Sequence, residues 1–425
     1  MKLDERTSVD VEQVAAPVTD SNTLPEAASV TDSITFPEAA PVTDGRGAPE
    51  ASSAIDVSVL MPCYNVERYL DQAISSAQAN NRVSIEILVI NDGSTDNTLE
   101  LARAHARRDS RIRIIDKPNA GYGATMNRGI DEARGRYIAI LEPDDWVAPH
   151  MYDELIEYAR SLNLASDPDI IKGPYWRIWM PETEQQRQIH CSYYQRIDPP
   201  YQPFRLTDCP KLVQHHPSIW SAIYRRDLLR ENNIRFKELP GAGWVDNPFL
   251  FETMCQAQSI IYLDKPFYCY REDLPGSSSA NRVIELSFER WHDMCDICDR
   301  LKVDQGIRRA LDVIGFRYVG AGIEVGALED ENLIKQIQSI FERMDATDIT
   351  SLENVSPTLR QLAFDLTSRQ APHFSTARYY QIMVEEFIYS LKTNGLGFAI
   401  KRSGIFLHRR TTQDKNASAQ AERSL

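Results

Sequence analysis

Long apolar runs are missing from this 425-residue chain. None reaches the roughly 18–20 residues that cross a bilayer as a helix, so no membrane span is expected. The N-terminus has no basic stretch followed by an apolar core, and no secretory signal is expected there. A disulfide framework is missing too. The seven cysteines are odd in number and scattered, which fits a reducing compartment. Cys295 and Cys298 form one C-x-x-C inside the helical pattern "ELSFERWHDMCDICDRL". No second pair completes a zinc site, so packing is the expected use. Bases are in deficit, 47 Lys and Arg against 61 Asp and Glu, for a net charge of −14. That balance argues against nucleic acid as a partner.

What the chain does have begins with an acidic, repetitive N-terminus. Residues 1–54 hold ten acids against three bases. "AAPVTDSNTLPE", "AASVTDSITFPE" and "AAPVTDGRGAPE" follow one 12-residue template. These units are short, broken by proline and poor in large apolar residues. They bury too little to offset chain entropy, and a disordered acidic tail is expected.

From Asp56 the pattern changes. "VSVLMP", "IEILVI", "RIRII" and "RYIAIL" read as short buried strands, with amphipathic helices between them. Such alternation predicts an α/β fold, a mainly parallel sheet flanked by helices. Ligands of such sheets sit beyond the carboxyl ends of the strands. Tyr64-Asn65, Asp92, Asn119-Gly121 and Glu142-Asp144-Asp145 all fall at such ends. Past residue 147 the pattern is mixed and rich in aromatics. From about 280 it is mostly helical, with helices expected over 280–301, 306–328, 331–344, 353–367 and 376–391. The expected divisions are thus 1–54, 55–279, 280–391 and a basic, amphipathic to polar end at 392–425.

The acids of "ILEPDDW" have two readings. One like-charged pair about 4 Å apart costs on the order of 4 kcal/mol at an effective dielectric near 20. A divalent cation would relieve this. One Asp could equally cap the helix that follows. Asp92 in "NDGSTD" is either a turn residue or an acceptor at a strand end. "NAGYGATMN" holds a G-x-G but no G-x-G-x-x-G, because residue 126 is Met, so a dinucleotide cofactor is rejected.

Together, "MPCYN", "VINDGSTDNT" and "NAGYGATMNRGIDEARGRYIAILEPDDW" resemble the family-2 glycosyltransferases of GT-A type, in motif order and spacing over residues 57–150. The likeness continues more weakly in "SIWSAIYRRDLLRENNIRF", "WVDNPFLFE" and "YCYREDLPGSSS". It implies a GT-A, Rossmann-like fold. It also implies that Pro62, Tyr64, Asn65 and Asp92 line a base pocket, with Asp92 taking the uracil imide proton. Asn119, Gly121 and Asn127 would close around base and ribose. Glu142 stands where the family has Asp, facing the ribose. Asp144, then Asp145, would ligate Mn2+ or Mg2+ on the diphosphate. Asp246 would be the general base, while Val245 replaces the acid that normally precedes it. Trp220, Trp244, Arg271 and Ser277 are candidate donor or acceptor contacts.

The implied reaction is inverting transfer of a sugar, expected from a UDP-sugar, to a hydroxyl of a glycan or lipid-linked glycan. A bacterial cell-surface polysaccharide setting and a cytoplasmic location are expected. The basic segment near 398–410 reads either as a contact with an anionic inner membrane face or as a solvated helix end. One rival is a catalytically silent nucleotide-sugar binder, motivated by Glu142 and Val245. A nucleotidyltransferase ranks last, because "PCYNVERYL" lacks a glycine-rich triphosphate loop.

Overall fold

The computed structural model describes residues 55–215, 218–272, 274, 283–404, 411, 413, 416 and 417. The acidic repeats of 1–54 lie outside the described residues, as does Ser277. The described residues belong to one compact unit, Ser52–Leu425.

Two sheets organise it. The larger has seven strands: β1 (Val57–Cys63), β2 (Ile85–Asp92), β3 (Ile112–Lys117), β4 (Tyr137–Ile140), β6 (Ile170–Lys172), β9 (Ala222–Arg225) and β10 (Ile260–Tyr262). Their order is β10-β6-β9-β4-β1-β2-β3. Only β9 runs antiparallel to its neighbours. The smaller sheet is β5 (Trp146–Val147), β11 (Tyr268–Arg271), β7 (Tyr175–Trp179) and β8 (Arg187–His190), in that order. This mixed, mainly parallel arrangement is the α/β sheet that the alternation of strands and helices predicts.

The two central strands explain themselves. Every residue of β1 and β2 is buried, as near-continuous apolar strands with helices on both faces should be. Helices α1 (Leu70–Gln78), α2 (Thr98–Ala106), α3 (Tyr122–Glu132) and α4 (Met151–Ser161) are interleaved with β1–β6. Next come α5 (Arg226–Glu231) and α6 (Asp246–Gln256). Further on are α7 (Ile284–Leu301), α8 (Gln305–Glu324), α9 (Glu331–Glu342), α10 (Ala346–Ser351), α11 (Pro357–Leu366) and α12 (Ala377–Asn394). The helix expected over 353–367 is shorter and preceded by a separate α10. Ser356 caps the second piece by accepting from Leu359 N, and Pro357 opens it. Cys295 and Cys298 are buried and free on α7. Burial pushes both thiols up, so they pack rather than react.

One buried acid ties the sheet to α4. Asp153 is fully buried and accepts from the N–H groups of Asn81, Arg82 and Val83 and from His150 Nδ1. Burial pushes its carboxyl up, but His150 and the three N–H groups outweigh that and hold it low. Asp153→Ala should cost about 2–4 kcal/mol by orphaning those donors. For a depressed carboxylate the wild-type contribution is present above the unfolded pKa. It is lost as pH falls through the folded one. Urea unfolding at pH 7 and pH 3 checks both: the gap between variant and wild type should narrow in acid.

Candidate functional site

The carboxyl ends of β1 and β2 meet in a laced pair of turns. Pro62 is buried within β1, and Tyr64 just past it is 52% exposed. Asn65 adopts a left-handed conformation (φ 53°), and its Oδ1 accepts from Thr95 N at 2.8 Å. Val66 N donates to Thr98 Oγ1, and Glu67 N to Asp96. The "NDGSTDN" turn thus braces the end of β1. Tyr64 is left as the side chain facing out.

Asp92 ends β2 and is buried. Its Oδ1 accepts from Ala120 N at 2.9 Å and from Lys117 Nζ, and its Oδ2 from Gly121 N at 3.1 Å. It therefore shapes the 119–121 turn, leaving Asn119 exposed beside it. Gly121 is at φ 88°, and a Cβ there would overlap the carbonyl of Leu239. One on Gly123 would overlap the carbonyl of Lys237. The G-x-G exists so that α3 can start hard against the 236–241 loop. Asn127 serves the same contact. Its amide donates to Phe236 O and Glu238 Oε1 and accepts from Phe236 N, all at 2.9 Å. The Asn127 side chain, expected beside a ribose, is thus bonded to that loop.

Beyond β4 the three acids part company. The reading as a helix cap does not hold: α4 begins only at Met151, after His150 in a left-handed conformation and after β5. Asp145 is buried, with Oδ1 accepting from Arg271 N at 2.7 Å and Oδ2 from Tyr268 Oη at 3.0 Å. Glu142 accepts from Tyr122 Oη at 2.6 Å, and its own N–H donates to Tyr268 Oη. Asp144 has no side-chain donor among the described residues. Arg271 is its nearby positive charge. Arg271 donates to Asp144 O and to Gln72 Oε1, and stacks over Tyr69 and Trp146.

Asp246 opens α6, with Val245 at the cap position making no side-chain bond. Asn247 Nδ2 donates to its Oδ1 at 3.2 Å. Glu142 feels both Asp144 and Asp246, so the four acids form one low-dielectric cluster. Burial is the main cause of every shift. It pushes Glu142 up to about 8 and Asp246 up to about 6, and it raises Asp144 and Asp145.

No group of three or more His, Cys, Asp or Glu is placed to hold a metal ion among the described residues. Asp144 alone fits a hard cation that draws its other ligands from phosphate and water. Asp145 is less open to one, since each of its oxygens already accepts a hydrogen bond.

Two aromatic expectations divide. Trp220 is buried, stacked 4.1 Å from Tyr268 and 5.2 Å from Tyr270. It supports the hydroxyl that bridges Glu142 and Asp145, and does not reach solvent as a sugar platform would. Trp244 (φ 54°) lies between Gly243 and Val245 and lines a cleft of about 370 Å3 with Leu239, Pro240 and Leu286. Tyr122, Tyr268 and Gln72 were missed by the sequence reading. Tyr122 and Tyr268 lay inside quoted motifs, but nothing in their spacing says that they bond carboxylates.

Comparison with known proteins follows this geometry. Residues 58–232 match the family description "Glycosyl transferase family 2". The chain is 30% identical over 378 residues to the glycosyltransferase EpsJ of Bacillus subtilis (strain 168), covering 86% of this chain and 99% of that one. It is 34% identical over 325 residues to glycosyltransferase GlyG of Streptococcus pneumoniae, covering 74% and 97%. Among solved structures, S. aureus TarS 1–349 superposes with a TM-score of 0.58 at 18% identity, over 80% of this chain and 92% of that one. The same TarS fragment is also known in complex with UDP-GlcNAc (TM-score 0.56).

Proposed function

Because the chain belongs to glycosyltransferase family 2, with the GT-A fold, we propose that it transfers a sugar from a UDP-sugar to a hydroxyl acceptor with inversion. The observation that carries the reading is the split among the acids. Each Asp145 oxygen accepts a hydrogen bond from β11, whereas among the described residues Asp144 has no side-chain donor and Asp246 receives Asn247 Nδ2. Burial pushes both carboxyls up, a cost that folding alone does not call for and that a cation and an attacking hydroxyl would use.

Tyr64, Asn119 and the 119–121 turn built on Asp92 form the side that receives the base. Arg271 offers a positive charge beside Asp144, where the diphosphate would lie. A divalent cation such as Mn2+ or Mg2+, held by Asp144 and by phosphate oxygens, would supply Lewis-acid neutralisation of the departing UDP. Glu142, tethered by Tyr122, faces the donor. Asp246 takes the proton of the attacking hydroxyl, and its carboxyl, pushed up to about 6, is ionised and basic at neutral pH. One displacement from an α-linked donor then gives a β-linked product. The cleft at Trp244, two residues ahead of Asp246 in the chain, receives the acceptor. Trp244→Ala should raise the acceptor KM about tenfold and leave the donor KM within twofold. Steady-state kinetics with each substrate varied checks this.

The direct test is a thermal-shift screen of UDP-, GDP- and dTDP-sugars with and without Mn2+. A UDP compound present at about 100 times its Kd should stabilise the protein by about 2.7 kcal/mol. If no UDP compound raises Tm, the base-pocket assignment is wrong.

A further inference from the structure

The helical region that follows the sheets sends a polar group into the candidate site. Helix α8 is firmly packed. Trp291 Nε1 on α7 donates to Leu311 O at 3.0 Å, and Phe316, Val319 and Ile323 are buried. A Cβ on Gly315 would overlap Met344 and the Trp291 ring, so no gap separates α8 from either. A helix held this way presents its side chains from a rigid frame.

Tyr318 stands on that frame, half-buried. Its Oη donates to Asn247 Oδ1 at 2.9 Å. Its ring meets Trp244 edge-on, with centroids 6.3 Å apart and planes at 70°. Asn247 is buried in the first turn of α6. Its Nδ2 donates to Asp246 Oδ1 at 3.2 Å and to Trp244 O at 3.5 Å. These neighbours decide which way round the amide lies. Flipped, its oxygen would face a carboxylate and a carbonyl, neither of which can donate.

The three side chains thus form one line, from the α8 hydroxyl through the Asn247 amide to the Asp246 carboxylate. Among the described residues Asn247 is the side-chain donor to Asp246. Glu142 and Tyr122 feel the charge of Asp246, but their hydrogen bond runs to each other. Without the hydroxyl, a buried amide oxygen would lose its donor, and the amide would turn towards water. Asp246 would then lose the group that fixes its rotation.

We propose that Tyr318 is a positioning residue for Asp246 and acts through Asn247. The inference rests on the reading of Asp246 as the base. It gives α8 a part in the reaction, although Tyr318 and Asn247 both lie outside the residues 58–232 that match the family.

A double-mutant cycle tests it, read by UDP release from the UDP-sugar that raises Tm most. Tyr318→Phe keeps the ring against Trp244 and should lower kcat about tenfold, with the donor KM within twofold. In the Asp246→Asn background the same change should cost less than twofold, because no base is left to position. A merely structural role would cost the same factor in both backgrounds, and that result overturns the proposal. Titration of 13C-labelled aspartate reads the contact without turnover. The Asp246 signal, identified by its absence in Asp246→Asn, should titrate near pH 6 in wild type and at least about half a unit higher in Tyr318→Phe. If Tyr318→Phe misfolds, Asn247→Asp decides. It keeps an acceptor for Tyr318 but sets a like charge beside Asp246, and should lower kcat at least tenfold. Wild-type turnover in Tyr318→Phe beside an inactive Asp246→Asn overturns this proposal alone. Wild-type turnover in Asp246→Asn overturns the base reading, and this proposal with it.

Discussion

Asp246→Asn should lower kcat by about 10³-fold while UDP binding, read by thermal shift, stays within twofold of wild type. General-base catalysis is typically worth about 10²–10⁴-fold. The substitution keeps the shape and the hydrogen bonds to the start of α6, so a structural role alone predicts little change. The wild-type pH profile adds a second readout. A base pushed up to about 6 must lose its proton to act, so activity should rise through about pH 6 and level off above it. Stability runs the other way. A buried acid whose folded pKa is raised favours the folded state below its unfolded pKa, and loses that advantage as pH rises through about 6. The apo Asp246→Asn protein should therefore match wild type near pH 4 and exceed it by about 2–3 kcal/mol at pH 8. A silent nucleotide-sugar binder would show the stability change with no activity to lose.

The sheet was legible because central parallel strands are continuous apolar runs. The runs that give β1 and β2 carry that signal in every residue. The smaller sheet was not. β5 has two residues and β11 four, and their pairing joins positions over a hundred residues apart, which no local pattern announces. The positions of the candidate site were legible from strand ends, but the bonding of each side chain was not. Asn127 and Asp145 look in sequence like ligand-binding residues. Both also make long-range contacts, with Phe236 and Glu238 in one case and Tyr268 and Arg271 in the other. Trp220 likewise reads as a stacking platform until Tyr268 and Tyr270 are found lying on it. Periodicity reports which face is buried. It does not report which distant donor arrives there.

The neighbouring acids Asp144 and Asp145 should separate function from folding. Asp144→Asn should lower kcat/KM by about 10³-fold, equivalent to ~4 kcal/mol of transition-state charge stabilisation. The apo Tm should hold or rise, because the substitution removes a buried charge that repels Glu142. The extra thermal shift that Mn2+ gives with UDP should disappear. Asp145→Ala should do the reverse in its primary effect. It leaves Arg271 N–H and Tyr268 Oη without their acceptor, at a cost of about 2–4 kcal/mol in urea unfolding. Activity would fall too, because the freed β11 strand carries the Arg271 guanidinium away from Asp144. Adding Mn2+ would not restore it. If both acids ligate the cation instead, both variants should lose the Mn2+-dependent shift while keeping apo stability. Two adjacent residues of the same chemistry thus predict opposite entries in Tm and in metal response. The difference traces to one tyrosine hydroxyl and one backbone N–H.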